Sequence, residues 1–135
     1  MSIEIGATAT AERVVGADDL ATVLVQRAGD GFPPVFATAR MVGLMELAAS
    51  RVLHPLLAAG ELSVGVTVEV SHGTATPIGE PVVAEARFTG MEGRLYTFEV
   101  SARDGAGEIG RGRHKRAIVS TQRLLEGAAR RRSGA

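Results

Sequence analysis

The order of apolar and polar positions divides the chain into a strand, a long helix, four further strands and a short terminal helix. Residues 3–15 partly alternate small or apolar with polar side chains, which predicts an opening strand. Residues 16–30 carry two signals. Asp18 and Asp19 favour the start of a short helix, while the run from Thr22 to Val25 favours a strand. Gly29-Asp30-Gly31 and Pro33-Pro34 predict a loop over 29–36.

Residues 38–58 carry the helical pattern. At about 100° per residue, Met41, Val42, Leu44, Met45, Ala48, Ala49, Val52, Leu53 and Leu56 fill one broad arc, with Arg40, Ser50, Arg51 and His54 opposite. Thr38 has the residue preference of an N-cap, and Pro55 ends or kinks the helix before Gly60 closes it. The period then changes to two. Val64, Val66, Val68, Val70 and His72 share one face, predicted to be the core face, and Ser63, Gly65, Thr67, Glu69 and Ser71 share the other. Strands follow at 81–89, 94–103 and 108–119, separated by turns at 91–94 and 104–107. A short helix and a loose basic tail are expected over 123–135, leaving 1–122 as a single domain. One long apolar helix followed by an antiparallel meander is an α+β order, with the sheet curled around the helix.

Composition narrows the function. With 135 residues there is room for one core. Lys+Arg 15 balance Asp+Glu 15, so the basic excess expected of a nucleic-acid partner is missing. There is no cysteine, which excludes disulfides, thiolate nucleophiles and cysteine-bound zinc. His54, His72 and His114 are scattered, so no metal and no cofactor is expected. No leader, no membrane segment and a cytoplasmic location are expected from the first ten residues and from the absence of any run near ~18 apolar residues. Aromatics make up only 4% and there are 17 glycines, so the core is small and aliphatic and the chain is expected to associate.

Several residues then stand out. His72 takes the slot where a fifth valine would continue its strand face; it is either a core or interface histidine satisfied by a backbone carbonyl or an acid/base group. Glu46 falls at the edge of the helix's apolar arc, where desolvation raises a carboxyl pKa; the plainer reading is a rim residue bonded to Ser50. Thr38 offers a hydroxyl at a helix start. Gly65 and Gly73 have backbone N–H groups able to face an oxyanion, although glycine in a strand more often marks a bulge. Arg111, Arg113 and Lys115 share one face of their strand and Arg116 takes the other; a solvated strip is the simpler reading.

Residues 36–49 (FATARMVGLMELAA), 64–80 (VGVTVEVSHGTATPIGE) and 92–119, with its Gly-x-Gly-x-His-x-Arg run, resemble the fluoroacetyl-CoA thioesterase family of hot-dog fold proteins. The resemblance covers roughly 32–119. It implies a homodimer with paired sheets and active sites at the interface, and hydrolysis of an acyl-CoA thioester, CoA being part of the substrate. By the resemblance, Thr38, Glu46, His72 and Arg116 are the catalytic positions. Gly65 faces the thioester carbonyl, and Phe32 and Phe36 border the substrate. Glu46, oriented by Thr38, attacks the carbonyl or activates water, while His72 handles protons. Arg116 or its basic neighbours meet the CoA phosphates or orient the site. A second phenylalanine of the acyl pocket falls on Gly29, so selectivity for a fluorinated acyl group is not carried over and a wider pocket is expected. Two alternatives remain: a hot-dog enoyl-CoA hydratase or dehydratase, and a non-catalytic acyl-CoA binding protein.

Overall fold

The computed structural model describes residues 2–134. Strand β1 (Thr8–Val14) leads through two short 3-10 turns, Ala17–Asp19 and Ala21–Leu24, to helix α1 (Thr38–Leu53). Strands β2 (Glu61–His72), β3 (Pro81–Glu92), β4 (Leu95–Asp104) and β5 (Gly107–Ser120) follow, then helix α2 (Thr121–Arg132). The strands form one antiparallel sheet in the order β1-β3-β4-β5-β2, curled around α1.

The predicted helical arc is the buried one. Met41, Leu44, Met45, Ala48, Ala49, Val52 and Leu53 pack on Val82, Ala84, Ala86, Phe88, Phe98, Val100 and Ala102 of β3 and β4. Alanines on both sides let helix and sheet approach closely. At Gly110 of β5 a Cβ would come within 2.6 Å of the Met41 sulfur, so only glycine admits that side chain. Truncating Met41 to alanine costs about 2–5 kcal/mol, since such a packed site cannot collapse fully. The helix ends two residues before Pro55, which lies in a 3-10 turn, His54–Leu56, rather than extending to 58.

Neither signal in 16–30 wins outright; the segment forms the two 3-10 turns. The buried Asp19 carboxylate accepts from Arg13 Nε at 2.7 Å and from the Gly16 N–H at 2.8 Å. Its backbone carbonyl accepts from the Ala37 N–H at 2.8 Å, which fixes the approach of the chain to α1. The basic end expected to be loose is helical as far as Arg132, with Ser120 capping α2.

Strand β2 departs most from its pattern. Its register against β5 passes from Gly65↔Arg116 directly to Thr67↔Lys115, leaving Val66 as the extra residue of a β-bulge. Residues opposite one another in an antiparallel pair point to the same face. Ser63, Gly65, Val68, Val70 and His72 lie opposite Ile118, Arg116, His114, Gly112 and Gly110, so they share the concave face toward α1. The bulge therefore moves Ser63 and Gly65 onto the face expected to hold only valines and His72, and moves Val64 off it. That face is also not a monomer core: Val66 is 49% and Val68 43% exposed on the terminal strand of the sheet.

Candidate active site

Two polar clusters lie along α1. The first is at its start. The N-cap is Ala37, and Thr38 is the first helical residue, so Thr38 does not cap. Its Oγ1 lies 2.8 Å from Nδ1 of His72, the last residue of β2. The Phe36 ring meets the imidazole edge-on, with centroids 6.5 Å apart. Among the described residues, His72 Nε2 is buried without a well-formed hydrogen bond, the Thr74 backbone being its polar neighbour. Burial pushes its pKa below the ordinary imidazole value, opposed in part by the Thr74 backbone, and this favours the neutral ring. Beside the pair lies a cavity of about 330 Å³ lined by Leu24, Phe32, Phe36, Thr38 and His72 among others. Gly29 has φ +99° with open space where a Cβ would be, and it is not among the residues that line this cavity.

The second cluster lies two helical turns on. Glu46 Oε2 accepts from Arg116 Nη1 at 3.0 Å, and Ser50 instead donates to the Leu47 carbonyl. The Glu46 side chain is 40% exposed and pairs with the Arg116 guanidinium, so it is neither enclosed in the core nor bonded to Ser50. Arg116 is buried. Its Nε donates to Ser63 Oγ at 2.9 Å, its Nη2 to the Ser63 carbonyl at 2.8 Å, and its Nη1 also to His114 Nε2 at 3.1 Å. Four of its five N–H donors are thus committed inside the chain, and the buried guanidinium is held among Glu46, Ser63 and His114. A Cβ on Gly65 would stand 2.5 Å from Glu46 Oε2 and 3.2 Å from His114 Cε1, so the carboxylate rests against bare backbone. The Gly73 N–H donates to the Ile109 carbonyl at 2.9 Å and is not free for an oxyanion.

Within one chain the structure joins Thr38 to His72 and Glu46 to Arg116 and Gly65, but not Thr38 to Glu46. Eight residues of helix separate those two by ~12 Å of rise. The expectation that Thr38 orients Glu46 is thus not met inside a single chain. Arg111 and Lys115 pair with Glu108 and Glu92 on the sheet's outer face, as a solvated strip does. A depression of about 490 Å³ there, lined by Arg87, Glu99, Arg111 and Arg113, is remote from both clusters. Among the described residues no group of three or more His, Asp or Glu side chains is placed to hold a metal ion.

Sequence reasoning missed Ser63 and His114. The signal for His114 was its spacing of two from Arg116, which puts both on one strand face. Ser63 could be found only by knowing where the bulge falls.

A family model described as fluoroacetyl-CoA-specific thioesterase matches residues 15–122. The fluoroacetyl-CoA thioesterase of Streptantibioticus cattleyicolor is 47% identical over 93 residues, which is 69% of this chain and 67% of that protein. The solved structure of the fluoroacetyl-CoA thioesterase FlK superposes with a TM-score of 0.90 at 36% identity, covering 96% of this chain and 98% of that one. A hot-dog-like protein from Thermanaerovibrio acidaminovorans shares the fold, with a TM-score of 0.81 at 24% identity and coverage of 94% and 91%. The chain belongs to the fluoroacetyl-CoA-specific thioesterase family.

Proposed function

We propose that this protein hydrolyses a short acyl-CoA thioester to the free acid and CoA. We further propose that it does so in the cytoplasm as a homodimer whose two sites are each shared between subunits. The observation that carries the reading is the Thr38–His72 hydrogen bond at the rim of an apolar cavity, in a chain of this family. Strand β2 ends the sheet, is 12 residues long and exposes Val66 and Val68. An unpaired apolar edge of that length is a ready surface for strand addition. Antiparallel pairing of β2 with its copy runs the Gly65 end of one strand along the His72 end of the other. That arrangement supports a site made from Thr38 and His72 of one subunit and Glu46, Gly65 and Arg116 of the partner subunit.

In such a site the acyl group enters the cavity beside Leu24, Phe32 and Phe36, and the thioester carbonyl faces the backbone N–H of Gly65 of the partner subunit. The carboxylate of Glu46 of the partner subunit takes a proton from water as the water oxygen bonds to the carbonyl carbon. The C–S bond then breaks, and His72 helps deliver a proton to the departing sulfur. Direct attack by the carboxylate, followed by hydrolysis of the anhydride, uses the same groups. Single turnover in labelled water separates the two routes, because label enters Glu46 only through the anhydride, when water attacks its glutamyl carbonyl carbon.

A thiol-release assay over a panel of acyl-CoA esters tests the proposal. Wild type is expected to release thiol, and Glu46→Ala and His72→Ala each to lose about 10²–10⁴-fold in rate. Binding of the esters without thiol release would point to a binding protein. An absorbance change on an enoyl-CoA without thiol release would point to a hydratase. Either result overturns the reading.

A further inference from the structure

The motif that ends in Arg116 contains a buried histidine that the reaction described above does not use. His114 lies on the concave face of β5 and is 1% exposed. Its Nδ1 is 2.8 Å from the Thr67 carbonyl oxygen. A carbonyl only accepts, so Nδ1 carries the proton and Nε2 keeps a lone pair. Arg116 Nη1, 3.1 Å away, donates to that lone pair and also to Glu46 Oε2 at 3.0 Å. Thr67 is the residue at which the β2 register resumes after the Val66 bulge, where the ladder is disturbed and its carbonyl turns to a side chain.

We infer that His114 is a positioning residue of the thioesterase reaction: held by the Thr67 carbonyl as a neutral acceptor, it fixes the Arg116 guanidinium, which holds Glu46 against Gly65. The inference rests on the proposed role of Glu46. Three fixed points define the guanidinium plane: His114 Nε2, Ser63 Oγ and the Ser63 carbonyl. The two serine contacts hold the Nε and Nη2 edge, and His114 is the acceptor besides Glu46 itself on Nη1. Without it the rigid guanidinium can pivot as a whole about that edge and carry Glu46 with it. A protonated imidazole would point an N–H at the guanidinium and repel it. Phe98 of β4 stacks beside the ring, with centroids 6.4 Å apart, and offers no competing polar partner.

Two substitutions separate this role from core packing. An asparagine amide reaches the Nδ1 position and can still donate to Thr67, but leaves Arg116 without an acceptor. A glutamine amide reaches the Nε2 position and keeps an oxygen acceptor for Arg116. His114→Asn is expected to lower kcat about 100-fold, the scale of an ångström's misplacement, with little change in KM, and His114→Gln to recover most of that loss. On the residual rate of Arg116→Ala, His114→Asn is expected to cost nothing further, because the two act as one unit. Nitrogen-15 imidazole spectra of the unsubstituted protein give a second reading that needs no variant at His114: its Nε2 should be unprotonated at neutral pH, and its shift should move in Arg116→Ala. Equal loss in the two His114 variants, an additive loss with Arg116→Ala, or a protonated Nε2 overturns the inference. If Glu46→Ala loses activity while His114→Asn keeps it, only the His114 role fails. If Glu46→Ala keeps wild-type turnover, the functional reading itself fails.

Discussion

The Thr38 hydroxyl lies 2.8 Å from Nδ1 of His72 across 34 residues of sequence, tying the first residue of α1 to the last residue of β2. The bond spans two elements and caps nothing, so its loss should register in the reaction more than in the fold. Thr38→Ser keeps the hydroxyl and is expected to stay within about tenfold of wild type in kcat/KM, while the isosteric Thr38→Val falls about 10²-fold or more. One exposed hydrogen bond is worth about 0.5–1.5 kcal/mol, so the unfolding midpoint of Thr38→Val should move only slightly. Steady-state thiol release with parallel denaturation curves measures both. Equal activity in Ser and Val variants would remove the hydroxyl from the mechanism.

Gly65 is constrained by the carboxylate that rests on it. An added methyl would stand 2.5 Å from Glu46 Oε2, the free end of a flexible side chain, and 3.2 Å from His114 Cε1. The carboxylate can swing away, so Gly65→Ala is expected to fold. The same swing carries Glu46 off Arg116, and kcat should fall by roughly 10²-fold. A folded Gly65→Ala with normal turnover would show that the position of Glu46 does not matter.

Much of this arrangement could be read from the chain, and the exceptions have physical causes. The apolar arc of 41–53 and, within the strand at 94–103, the alternation that puts Tyr96, Phe98, Val100 and Ala102 on one face report burial directly, because each position contributes to a repeating face. Glu46 stands out at the edge of the helical arc and His72 at the end of the valine face of 64–72, while Thr38 stands out only as a hydroxyl residue at a helix start. The Val66 bulge is not legible in the sequence: one extra residue leaves the written alternation intact while reversing which half faces inward, so strict alternation puts Ser63 outward and Val64 inward. The valines of β2 alternate as core residues do, yet Val66 and Val68 are exposed in one chain, since the alternation does not say what covers a face. The turns at 16–24 depend on Asp19 meeting Arg13 and Gly16, a tertiary contact that local propensity does not contain.

Acid should weaken the fold in a defined window. Burial, ahead of any partner, holds both His72 and His114 below the ordinary imidazole value of 6.5. Below that pH the unfolded chain takes up protons that the folded chain does not, so stability is lost as pH falls through about 6.5 toward the folded values. Burial also works to raise the Asp19 pKa, but its bonds to Arg13 and Gly16 prevail and lower it from 3.8, so this carboxylate contributes only in stronger acid. Urea midpoints at several pH values between 7.5 and 5 should decline, and His114→Gln should flatten the decline. A midpoint constant over that range would contradict the assignment of neutral, buried rings.

Gly29 lies outside the lining of the cavity beside Thr38 and His72 and carries no ring. Its φ of +99° belongs to the left-handed region, so Gly29→Phe carries about 1–3 kcal/mol of backbone strain and should not wall the cavity simply by adding a ring. Phe32, at 43% exposure, is the aromatic residue left at the rim. A cavity of about 330 Å³ leaves room beyond two carbons. Butyryl-CoA is expected to be hydrolysed with kcat/KM within about tenfold of acetyl-CoA, the range that added methylenes command in an apolar pocket. Strong preference for fluoroacetyl-CoA over both would mean that other residues narrow the pocket.

The separation of Thr38 from Glu46 along one helix leads to the most decisive experiment. If each site draws Thr38 and His72 from one subunit and Glu46 from the other, then Thr38→Ala and Glu46→Ala homodimers are both inactive. A mixed dimer, however, contains one site with both residues intact and one with neither. Random reassortment makes half the dimers mixed, each with one working site of two, so about a quarter of wild-type activity should return on mixing. Sites contained within single chains would show no recovery at any ratio. The double substitution Val66→Lys, Val68→Lys provides the companion measurement, because charge on an exposed edge blocks strand addition. That double variant should sediment as a monomer, lose thiol release and fail to complement either inactive partner, whereas an active monomer would place both clusters in one functional site.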